Sequence, residues 1–66
     1  MAEFSYTTEE ARRLVANRGL IARVSAQGAA LSVYEGDEER PGTWMEVDRL
    51  AIKNGRVLSS ALRSVL

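Results

Sequence analysis

A chain of 66 residues with neither cysteine nor histidine must hold itself together by burial alone. A domain this short removes only about 60% of its unfolded surface from water, so it sits close to the limit of independent stability. The usual reinforcements are disulfides, a metal or self-association. Absent cysteine removes disulfides, zinc–thiolate sites and thiol nucleophiles together. Absent histidine removes the commonest general base and the commonest transition-metal ligand. What is left is a hydrophobic core of the chain's own, or one shared with a second copy or another partner.

The chain is 45% hydrophobic and 27% charged, the balance of a folded domain. Its longest uncharged run, Val24 to Tyr34, is eleven residues and includes Gln and Gly, too short and polar to cross a bilayer. The opening MAEFSYTTEE lacks the basic start and apolar stretch of a secretory signal. The expectation is therefore a cytoplasmic protein, with no membrane contact.

Local order begins with Thr7-Thr8-Glu9-Glu10, a capping box in which the Thr7 hydroxyl accepts from the Glu10 amide and the Glu10 carboxylate reaches back. Ala11, Leu14 and Val15 follow at helical spacing, and Gly19 suits a left-handed cap, so a helix is predicted over 8–18. Residues 1–6 are read as a flexible start, from which Phe4 or Tyr6 staples onto that helix. Leu20, Ala22, Val24 and Ala26 then alternate with Ile21, Arg23 and Ser25; beyond Gly28, Leu31 and Val33 alternate with Ser32 and Tyr34. Period two on both sides of a glycine predicts a β-hairpin. Residues 36–42 form an acidic Gly/Pro loop, where Asp37, Glu38 and Glu39 join Glu35 in four acids within five residues. Such a run is ordinarily a solvated loop.

DRLAIKNGRVLSS admits two readings. Asn54-Gly55 is either the two-residue turn of a hairpin or the left-handed stop of a helix. Thr43-Trp44-Met45-Glu46 repeats the T-x-x-E capping box directly after Pro-Gly, which favours a helix start. Strict alternation would also place Glu46 and Asp48 on one face with Trp44, Leu50 and Ile52. Helical spacing instead groups Trp44, Val47, Leu50 and Ala51. The reading adopted is a helix over 44–53 and a last short helix capped by Ser59 or Ser60. The expected fold is one small α+β domain over 1–66, in the order α-β-β-α-α. Its C-terminal segment resembles a helix-turn-helix, with Ala51 where the helices cross and Gly55 in the turn. It departs from that pattern by the extra Arg56 before Val57.

Net charge is zero, and residues 1–39 carry four arginines against seven acids while 40–66 carry five basic residues against two acids. Nucleic-acid binders usually show a clear basic excess, because phosphate neutralisation supplies most of their affinity. Chemistry is not expected: Ser59-Ser60 have no histidine partner, and a chain this size leaves little room for a cleft that tunes a pKa. Neither a cofactor nor a metal is expected. The leading expectation is a non-enzymatic protein that docks on a protein partner as an accessory or inhibitory factor. Its candidate contact residues are Tyr34, Glu35, Asp37, Glu38, Glu39 and Trp44, an aromatic pair bracketing acids. The second is a dimeric helix-turn-helix regulator using Arg49, Lys53, Arg56, Ser59, Ser60 and Arg63 on DNA. The third is a structural subunit of a larger assembly, and self-association suits all three.

Overall fold

A computed structural model describes residues 4–66. The chain forms β1 (Ser5–Thr7), α1 (Thr8–Asn17), β2 (Ile21–Val24), β3 (Ala30–Glu35), a 3-10 turn (Pro41–Thr43), β4 (Met45–Ala51), β5 (Arg56–Leu58) and the four-residue α2 (Ser59–Leu62). This is a small α+β domain with two antiparallel sheets, one ordered β2-β3-β4 and the other pairing β1 with β5. Among the described residues no helix is long and apolar enough to cross a membrane.

The first helix forms as its sequence predicts. The Glu10 amide donates to Thr7 Oγ1 at 3.2 Å, and the Thr7 amide donates to Glu10 Oε1 at 3.0 Å. The Thr7 amide, and after it the Thr7 hydroxyl, which also donates to Glu10 Oε1 at 3.0 Å, hold the Glu10 carboxyl below its ordinary pKa. At the other end Arg18 is the C-cap and Gly19 takes φ +76. The Gly19 amide donates to the Ala16 carbonyl and the Leu20 amide to the Val15 carbonyl. That bond pair is a Schellman motif, and it turns the chain directly into β2.

β2 and β3 form the predicted hairpin, with Ile21 opposite Tyr34 and Val24 opposite Leu31. Its loop is closed by Ser25, whose hydroxyl accepts from the Ala29 and Ala30 amides at 3.2 and 3.3 Å. β3 is the central strand. Leu31 and Val33 on its inner face meet Leu50 of β4, Ala11 and Val15 of α1, Val57 of β5 and Leu62 of α2 in one buried cluster.

In the C-terminal third the expected last short helix is present as α2, but the expected helix over 44–53 is not. Residues 45–51 are β4, paired along β3, and Thr43 caps no α-helix. Its hydroxyl instead accepts from the Asp37 amide at 2.9 Å and donates to the Arg40 carbonyl at 2.8 Å. The alternation that argued against a strand is broken by a β-bulge. Val33 faces Asp48 and Tyr34 faces Glu46, leaving Val47 as the extra residue. The bulge switches parity, so Glu46 and Trp44 lie on the outer face while Leu50 and Ile52 pack inward. Asp48 keeps the inner parity near the sheet margin, where it accepts from the Ser64 hydroxyl and the Arg49 amide.

Asn54-Gly55 is therefore a hairpin turn. Lys53 and Arg56 exchange backbone hydrogen bonds of 2.9 and 3.0 Å, and both central residues have positive φ, 54° and 73°. Those dihedrals are the requirement of a type I′ turn. With a strand before the turn and a strand after it, there is no helix-turn-helix. The turn also serves α1: the Gly55 carbonyl accepts from the Thr8 amide at 3.2 Å and the Thr8 hydroxyl at 3.1 Å. Gly55→Ala should cost about 1 kcal/mol, because a Cβ there meets no atom within 4 Å and only the left-handed backbone is penalised. Urea unfolding checks this, and an unchanged midpoint would rule out the turn as drawn.

Of residues 1–6, Met1 to Glu3 lie outside the described residues, while Ser5 and Tyr6 pair with Leu58 and Val57. The Arg56 guanidinium fastens this pairing through the Ser5 hydroxyl at 2.7 Å and the Ser5 carbonyl at 2.9 Å. Tyr6, not Phe4, packs against the core.

Candidate functional site

An antiparallel sheet with helices on one side buries that side and leaves the other to solvent. Here α1 and α2 both contribute to the inner cluster, and among the described residues no helix covers the outer face of β2-β3-β4. Strand parity determines what that face displays. Opposite in parity to Leu31 and Val33 stand Ala30, Ser32 and Tyr34. The pairing sets Ile21 and Arg23 beside them on β2, with Glu46 and Arg49 on β4.

Trp44 joins this set because the loop after β3 returns it there. Gly36 begins the loop with φ +149. The Asp37 amide is held by Thr43, and the Asp37 carbonyl accepts from the Trp44 indole Nε1 at 2.7 Å and from the Arg40 amide at 2.9 Å. Asp37 Oδ1 accepts from the Glu39 amide at 3.0 Å, so this carboxylate is also used within the loop. The indole is thereby fixed beside Tyr34, with ring centroids 5.7 Å apart and planes tilted by 34°. The Arg23 guanidinium lies 5.6 Å from the centre of the Trp44 ring, within cation–π range. Tyr34 and Trp44 are half-buried and Arg23 is exposed, so the cluster is supported from below and open above.

The structure thus brings together two of the sequence-derived partner residues, Tyr34 and Trp44, and gives the exposed acids different neighbours. Glu35 has the parity of the inner face. Asp37 is engaged in the loop, and Glu38 lines a different cleft of about 340 Å³, shared with Arg12, Arg13 and Gly19. Glu39 is exposed on the loop. Sequence reasoning missed Arg23, although the hairpin alternation itself put it on one face with Ser32 and Tyr34.

The candidate DNA-contacting residues are divided among elements. Arg49 is on the outer sheet face, its Nε 3.2 Å from Glu46 Oε1. Lys53 and Arg56 flank the hairpin turn, with Arg56 committed to Ser5. Ser59 and Ser60 lie in α2, whose first residue donates its amide to the Phe4 carbonyl, and Arg63 is the cap that ends that helix. No protein-family model matches the chain, and comparisons with curated proteins and with solved structures return no match.

Proposed function

We propose that this chain is a small non-enzymatic binding module that docks on a protein partner through the outer face of β2-β3-β4. One observation carries the reading: Trp44 lies against both Tyr34 and Arg23 on a sheet face that no helix covers among the described residues. Trp, Tyr and Arg are the residue types that dominate binding energy at protein interfaces. A solvated sheet face needs none of them for stability, since small polar side chains would serve. The aromatic pair is also held in place before any partner arrives, by the indole bond to Asp37 and the contact with Arg23. Preorganisation lowers the entropy lost on docking. DNA is the weaker alternative, because net charge is zero and the basic residues are divided among separate elements.

Trp44→Ala should weaken binding about 30-fold, the effect of removing an interface anchor worth about 2 kcal/mol. The measurement is capture from native extract by the tagged protein, with and without nuclease, comparing Trp44→Ala with Arg18→Gln. Proteins retained by the parent and Arg18→Gln, lost by Trp44→Ala and insensitive to nuclease support the proposal. Capture that is unaltered by Trp44→Ala, or abolished by nuclease, rejects it.

A further inference from the structure

Resting on that docking reading, we infer that the face takes an acidic segment of its protein partner, with a side-chain carboxylate seated over Ser32 between Arg23 and Arg49. The register makes the seat: Arg23, Ser32 and Arg49 stand opposite one another on three adjacent strands, forming one row across the sheet. Strands lie about 4.8 Å apart, so the two arginine stems rise about 10 Å from each other with the serine midway. Both guanidinium groups can reach the space above it.

The row has unused donors. Ser32 is the one buried polar residue among those described, 7% exposed, and among the described residues none hydrogen-bonds its hydroxyl. Ser32 shares the outer parity of Arg23 and Arg49, so its hydroxyl stands in the row between the two arginine stems. Arg23 has the Trp44 ring beside it and no carboxylate within ion-pair distance among the described residues. Arg49 commits its Nε to Glu46, which leaves its terminal nitrogens for another acceptor.

Charge selects the occupant. The face carries Arg23, Arg49 and Glu46, one uncompensated positive charge. A single carboxylate neutralises it, whereas a phosphate chain would be matched at one position only, giving a salt slope near one. Guanidinium groups bind carboxylates through paired, charge-assisted hydrogen bonds, with the hydroxyl donating a third. Tyr34 and Trp44, adjoining the row, take an apolar or aromatic neighbour of the acid.

A random linear peptide library displayed on phage, panned against the folded protein, tests this directly. Selected peptides, resynthesised and titrated by calorimetry, are expected to carry Asp or Glu next to an apolar residue. Replacing that acid by its amide, or Arg23 by Gln, should weaken binding about tenfold, the effect of losing a charge-assisted contact. Arg18→Gln should leave affinity unchanged, and added salt should lower it. Trp44-dependent peptides that are neutral or basic would overturn the acidic seat while leaving the docking face intact. Failure to select any Trp44-dependent peptide would overturn both. An oligothymidylate that binds the parent more tightly than the selected peptides, through Arg23 and Trp44, would replace a protein occupant with a single-stranded nucleic acid.

Discussion

Gly36→Ala is expected to lower stability and release Trp44 from its cluster in the same step. Gly36 takes φ +149, a backbone region that is essentially glycine-only. A Cβ built there would stand 2.8 Å from the Thr43 carbonyl oxygen and 3.0 Å from the Trp44 Cα. Both are backbone atoms, so no side chain can swing aside to relieve the contact. Strain of this kind costs about 1–3 kcal/mol, and forced displacement of packed neighbours a similar amount. Relief requires the 36–44 loop to move, which frees the Trp44 indole from the Asp37 carbonyl and from Arg23. The expected readings are a lower urea midpoint and a red-shifted tryptophan emission, reported by the single Trp of the chain. A variant with the parent's midpoint and emission would show that the loop does not position Trp44.

Leu31→Ala should produce the largest loss of stability. Leu31 is fully buried on the central strand, within the one cluster that joins both sheets and both helices. Leucine truncations at such sites cost about 2–5 kcal/mol, the lost burial plus the cavity left behind. Domains have about 5–15 kcal/mol to lose, and a chain this short lies toward the lower end. For a domain of this size 1 kcal/mol moves Tm by about 4–8 °C, so a fall of at least about 8 °C is expected in circular dichroism melts. A smaller fall would mean that the cluster is not the chief source of stability, and that another surface, such as one shared between copies, contributes.

How far the sequence could be read followed the range of the interactions involved. The capping box at Thr7–Glu10 closes within four residues, and the Schellman motif at Gly19 within six. Both are decided by atoms close in sequence, and helix α1 formed where they placed it. The β2-β3 hairpin was legible for a related reason, since its alternation and its closing glycine are adjacent. Arg23 was legible too, through its parity with Ser32 and Tyr34, though only an uncovered sheet face gives that parity a use.

The C-terminal third shows where local signals stop deciding. Thr43 and Glu46 have capping-box spacing, but the Thr43 hydroxyl is worth more inside the 36–44 loop, where it bonds both Asp37 and Arg40. The β4 segment is weakly periodic in either sense, because its alternation is interrupted at Val47. An exposed edge on β3 settles it: the buried central strand needs a second neighbour, and residues 45–51 supply the backbone partners. The pairing of β1 with β5, which sets Ser5 opposite Leu58 and Thr7 opposite Arg56, has no sequence signature at all. Sequence by itself determined α1, the β2-β3 hairpin, the positive-φ requirement at Gly55 and the reliance on burial without disulfides. Tertiary structure decided whether Asn54-Gly55 would end a helix or turn a strand, and which arginines would share a face with Tyr34 and Trp44. The physical reason is that caps and turns are satisfied by neighbouring residues, whereas strand pairing and parity depend on what lies across the sheet.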